Sequence, residues 1–183
     1  VYSVSDGMYS DIFGFTQAEV DELLHYYSLT SKKDTVKEWY DGYNFGGTCI
    51  YNPWDVTNYC YALLKNSEAE PVNYWANTSS NEIIKEFIDY ADPPSLEKMQ
   101  KLLNGETIKT RIDEQLVYPD LEKDHSPIQL FSILLSSGYL TAISVDHEGY
   151  ELKIPNREIK VLFNDLVTSF YQSSDTRFHA SAA

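Results

Sequence analysis

Helix-start signals punctuate the first two thirds of this chain so often that it reads there as a series of short helices. Thr16 with Glu19, and Ser79 with Glu82, are capping boxes, in which a hydroxyl takes a backbone N–H while the acid three residues on reaches back. Asn52 precedes Pro53, Ser95 follows Pro93 and Pro94, and Asn156 stands before the last apolar run. Each signal opens a stripe at helical spacing. The stripes are Val20, Leu23, Leu24 and Tyr27; Val56, Tyr59, Cys60, Leu63 and Leu64; Ile83, Ile84, Phe87 and Ile88; Leu96, Met99, Leu102 and Leu103; and Ile159, Leu162, Leu166 and Phe170. One more helix is predicted from Asp34 to Tyr40, stopping at Gly42, with Tyr43 to Gly47 read as a turn-rich loop.

The last third changes character. Ile108, Thr110 and Ile112 alternate as in a strand, and Pro127 to Ser137 is a compact apolar helix ended by Gly138. Tyr139 to Val145 and Tyr150 to Ile154 are strand-like and meet at the turn Asp146 to Gly149. Helix, hairpin and helix in that order suggest a winged-helix-like unit. The predicted class is mainly α (α+β): a helical bundle over 1–125, a winged-helix-like unit over 126–172, and a disordered tail over 173–183.

Charge narrows the partners. A net charge of −14 opposes the phosphate backbone of nucleic acid. The predicted wing, Asp146-His147-Glu148-Gly149, is acidic, and the Pro127 to Ser137 helix carries no cation. Arg157 and Lys160 sit beside Glu158 and Asp165 and read as a solvated face. No apolar run approaches the roughly 20 residues that span a bilayer, so neither a membrane nor nucleic acid is an expected partner. Cys49 and Cys60 form no CxxC pair and read as two thiols of a reducing, cytoplasmic setting. The chain opens on Val1, which reads as a piece of something longer.

Catalytic motifs are thin. Gly46-Gly47 runs into Thr48 and Cys49 without the lysine of a phosphate-binding loop, and no GxSxG elbow occurs. His25, His125, His147 and His179 are scattered, and no metal-ligand spacing is found. Pro119-Asp120 with Glu151-Leu152-Lys153 matches the wording of a PD-(D/E)XK nuclease signature, in which Asp120 and Glu151 would hold magnesium and Lys153 would steady a water. A helix and a strand separate the two halves of that match. Glu151 and Lys153 share one face of their strand, and an exposed charge pair is the better reading of them.

The aromatic segment is more specific. Trp39-Tyr40-Asp41-Gly42-Tyr43-Asn44-Phe45 is followed by Tyr51-Asn52-Pro53-Trp54-Asp55-Val56, then Tyr74-Trp75-Ala76-Asn77-Thr78-Ser79, then Ser136-Ser137-Gly138-Tyr139-Leu140-Thr141. Rings with polar handles can stack on a carbohydrate or peptide, or lock a loop onto a core. These four ordered blocks resemble the AAA-ATPase-like family, in which a P-loop NTPase core is followed by a helical lid and winged-helix region and commonly by a PD-(D/E)XK nuclease-like domain.

The resemblance implies that this chain is the lid and winged-helix portion, a regulatory and protein-interaction module without catalytic residues of its own. The NTPase core would precede it and a nuclease-like domain would follow. ATP and magnesium would be bound by the parent protein, and no cofactor by this chain. Asn52, Pro53 and Trp54 would be the lid residues nearest the nucleotide. Two alternatives stay open: a metal-dependent nuclease on Asp120, Glu151 and Lys153, and an aromatic-rich carbohydrate- or peptide-binding module.

Overall fold

Thr16 opens the first helix as its spacing predicts: its hydroxyl accepts the Glu19 N–H at 3.3 Å, while Glu19 Oε2 accepts the Thr16 N–H at 2.8 Å. The computed structural model describes residues 14–75, 80–115 and 126–180, without the side chains of 80–83 and 171–180. The chain runs α1 (Gln17–Tyr26), a 3-10 turn (Thr30–Lys32), α2 (Lys33–Tyr40), β1 (Tyr43–Phe45), β2 (Thr48–Ile50), α3 (Pro53–Lys65), α4 (Ser80–Asp89) and α5 (Pro93–Leu103). It continues with β3 (Ile108–Thr110), α6 (Pro127–Ser136), β4 (Thr141–Asp146), β5 (Gly149–Lys153) and α7 (Arg157–Ala180). The class is mainly α, with two small antiparallel sheets.

Local signals explain most boundaries, and three departures are instructive. The Tyr43 to Gly47 loop is instead one arm of a hairpin, with Tyr43 opposite Ile50 and Phe45 opposite Thr48 across the Gly46-Gly47 turn. Three-residue strands are too short to display a period of two, whereas a Gly-Gly pair suits a tight hairpin turn. The cap of α5 is Asp92 rather than Ser95: Asp92 Oδ1 accepts the Ser95 N–H at 2.9 Å, which places both prolines in the first turn, where they forfeit no helical bond. Ser79 lies outside the described residues. α7 continues through Ala180, beyond the Gln172 position where the sequence places the end of ordered chain.

Two cores result. α1, α2 and α3 enclose Val20, Leu24, Val36, Tyr40, Tyr51, Val56, Tyr59, Cys60 and Leu63. The second lies between α4, α5, α6, α7 and the three-stranded sheet, and contains Phe87, Met99, Phe131, Leu134, Tyr139, Leu152 and Phe163 among others. That sheet has the order β3-β5-β4, so it is built from both sides of residue 126. The β1–β2 hairpin joins the cores, because Tyr43 and Ile50 enter the second while the flanking Tyr40 and Tyr51 enter the first.

Candidate functional site

At the junction of the two cores the first turns of α3 and α7 each bring in an acid. Asn52 caps α3 by accepting the Trp54 N–H at 3.1 Å, and Asn156 caps α7 by accepting the Ile159 N–H at 3.0 Å. An acid in a helix's first turn favours the positive end of the helix dipole. Here, however, both acids are taken out of water: Asp55 is 1% exposed and Glu158 is 0% exposed. Glu158 Oε1 accepts the Tyr74 N–H at 2.6 Å and the Trp75 N–H at 3.0 Å. Its Oε2 and both Asp55 oxygens have no ordinary donor among the described residues.

Two buried carboxyl groups facing each other can satisfy those oxygens only if one keeps its proton and donates it to the other. Glu158, already holding two N–H donors, is the better anion. The Asp55 carboxyl is pushed up to about 8, first by burial and then by the neighbouring Glu158 charge and its hydrogen bond. Burial also raises Glu158, against the lowering effect of the Trp75 and Tyr74 amides and of Asp55. The geometry therefore stores one proton at neutral pH, in a pair that ties α3 to α7 and to the 74–75 backbone.

The aromatic blocks build the walls of this junction. The Tyr40 hydroxyl donates to Val72 O at 3.1 Å, and its ring lies 6.2 Å from that of Tyr74. The Tyr43 hydroxyl donates to Gly138 O at 3.1 Å. Gly138 adopts φ +82°, and a Cβ there would rest on Trp75 and Tyr43. Asn44 donates its N–H to Thr141 Oγ1 and its amide to Ala142 O. Gly42 holds φ +117° against Pro155, with its N–H donated to Asp41 Oδ1 at 2.7 Å. Outside, the Arg157 guanidinium lies 5.0 Å from the Trp39 ring and pairs with Glu38 at 2.6 Å. Burial, the first cause in each case, raises the Tyr40, Tyr43 and Tyr74 phenols, so all three remain protonated donors.

The structure thus brings Tyr40, Gly42, Tyr43, Tyr74, Trp75, Gly138 and Tyr139 to one place, with Trp39 and Asp41 at its rim. Phe45 packs against the second core. The rings of Tyr40, Tyr43, Tyr51 and Tyr139 are covered by protein, which leaves them no face for a sugar or peptide. Of the three residues expected nearest a nucleotide, Asn52 is engaged as a cap, Pro53 is the first helical residue, and Trp54 is 63% exposed. Asp120 lies outside the described residues. Glu151 accepts from Thr107 Oγ1 at 2.9 Å and Ser144 Oγ at 2.8 Å, while Lys153 lines a cleft beside α7. No group of three or more His, Cys, Asp or Glu side chains able to hold a metal occurs among the described residues.

Sequence reasoning missed the carboxylate pair. Asp55 belongs to the second aromatic block, where it reads as having no role of its own, and Glu158, read as part of a solvated face, is buried. An acid just after an asparagine cap is the only local signal, and it marks a helix start equally well.

The chain is 26% identical over 175 residues to an uncharacterized protein from the vnfD 5' region of Azotobacter chroococcum mcd 1. The match covers 91% of this chain but 30% of that protein, so the chain spans less than a third of its relative's length. No protein-family model matches the chain, and no solved structure matches it significantly. No helix among the described residues is long and apolar enough to cross a membrane.

Proposed function

We propose that this chain is the lid and winged-helix portion of an AAA-like ATPase, a regulatory and protein-interaction module that couples the state of a neighbouring nucleotide-binding core to its partners. The observation that carries the reading is the convergence of the four aromatic blocks on one junction, locked by the Asp55–Glu158 pair. A module that transmits a movement needs its helical and sheet-bearing parts to move together, and this junction fastens them. The sheet order β3-β5-β4, with α5 before β3 and α6 before β4, supports the winged-helix reading. Alignment with under a third of a longer relative supports the reading as a portion.

ATP and magnesium would be held by the parent's core. Of the residues present, Trp54 fits the base, because its exposed indole offers a stacking face at the start of α3. The Asn52 side-chain oxygen is already committed to the Trp54 N–H. The chain's own contribution is to orient that indole and exclude water from one side of the nucleotide. The test is calorimetry and a phosphate-release assay on this chain alone and on a version extended to include the upstream core. The reading expects no turnover from the chain alone, and nucleotide binding by the longer protein that Trp54→Ala weakens. Turnover by the isolated chain, or unchanged affinity in the variant, would overturn it.

A further inference from the structure

Beside the junction, α5, the end of β5 and α7 enclose a cleft of about 830 Å³, within the range of small-molecule sites. Three cations line it, Lys153, Arg157 and Lys160, in a protein whose net charge is −14. Arg157 is held in place by Glu38 and Trp39, whereas Lys153 and Lys160 make no ion pair among the described residues. Asn156 also lines the cleft, is about nine-tenths buried, and leaves its Nδ2 donor without a partner. Two acids, Glu38 and Glu106, share the wall, and the first is committed to Arg157. The rest of the lining mixes polar Gln100, Asn104, Asn164 and Thr168 with apolar Leu103, Ile154, Val161 and Val167.

We propose that this cleft binds a small organic phosphate, its dianion held by Lys153, Lys160 and Arg157 and its apolar body laid against Leu103 and Val161. Three cations lining one cleft match a multiply charged group better than a single carboxylate, which one cation would satisfy. The apolar lining gives affinity to a ligand that carries more than the anion. This reading does not depend on the lid assignment, because it rests on lining residues that no part of that assignment uses.

The experiment is calorimetric titration of the full chain with phenyl phosphate and with inorganic phosphate, at low and moderate salt. Phenyl phosphate should bind, at least fivefold more tightly than inorganic phosphate, and weaken as salt rises. The double variant Lys153→Gln/Lys160→Gln should lose at least tenfold in affinity, and Lys153→Arg/Lys160→Arg should retain it. A control pair outside the cleft, Lys65→Gln/Lys85→Gln, makes the same change in net charge and should bind as the parent does. Equal weakening by both glutamine pairs would reduce the effect to overall charge and overturn the assignment. So would absence of phenyl phosphate binding to the unmodified chain, or equal affinity for the two probes. Circular dichroism of each variant checks that the fold is retained.

Discussion

Replacing Asp55 by asparagine should make the protein more stable at pH 8 and leave it unchanged near pH 4. In the folded chain this carboxyl keeps its proton up to about pH 8, whereas an unfolded aspartate releases it near ~3.9. Between those values the folded state binds more protons than the unfolded one, so stability falls as pH rises and levels off above the folded value. At about 1.36 kcal/mol per pH unit, the three units from ~4 to 7 amount to roughly 4 kcal/mol, which relaxation and water entry reduce to about 2–4 kcal/mol. Asparagine presents an N–H in place of the shared O–H and has no proton to lose. The advantage of Asp55→Asn should therefore grow steadily from pH 5 to pH 8. Urea unfolding followed by tryptophan fluorescence at pH 5, 6, 7 and 8 measures it. Carboxylates held low by their partners, such as Asp21 beside Lys33 and Asp146 beside Lys109, act at the acid end and cancel in the difference. Parallel stability curves for the two proteins would refute the shared proton.

Glu158→Ala leaves the part-buried Tyr74 and Trp75 N–H groups without their acceptor and should cost roughly 1–3 kcal/mol. Hydrogen exchange at those two amides, which should speed up more than at Leu24 in the other core, separates the local effect from global loss. Gly42→Ala would bring a Cβ within 2.0 Å of Pro155 O at φ +117°, and should lower the unfolding midpoint by at least the equivalent of ~3 kcal/mol. Trp54→Ala should leave stability within about 0.5 kcal/mol, since the ring is mostly exposed, so that any change in nucleotide affinity of the longer protein is a contact effect.

Much of the helical frame is legible in the residues because its causes are local. Thr16, Asn52, Pro127 and Asn156 each act within one turn, and the structure starts helices where they stand. The apolar stripes behave likewise: Val56, Tyr59, Cys60 and Leu63 are buried, while Tyr27 and Leu64, at the ends of their stripes, are exposed. The β1–β2 hairpin escapes because its strands are too short to show a pattern. Lys109 bridging Asp146 and Glu148 at 2.6 and 2.7 Å escapes for another reason: it joins β3 to the acidic turn through pairing that no local rule records.

The site divides along the same line. The residues alone mark the aromatic blocks as special, and they set the helix starts that place Asp55 and Glu158 in first turns, where acids are ordinary and solvated. Only the tertiary structure turns those two acids toward each other and covers them with Tyr40, Tyr43 and Tyr74. The reason is physical: a carboxylate's proton affinity depends on the water and charge around it, and distant segments supply both. Helix caps act through bonds to neighbours in sequence, whereas burial and charge pairing act through space and exist only once the chain has closed.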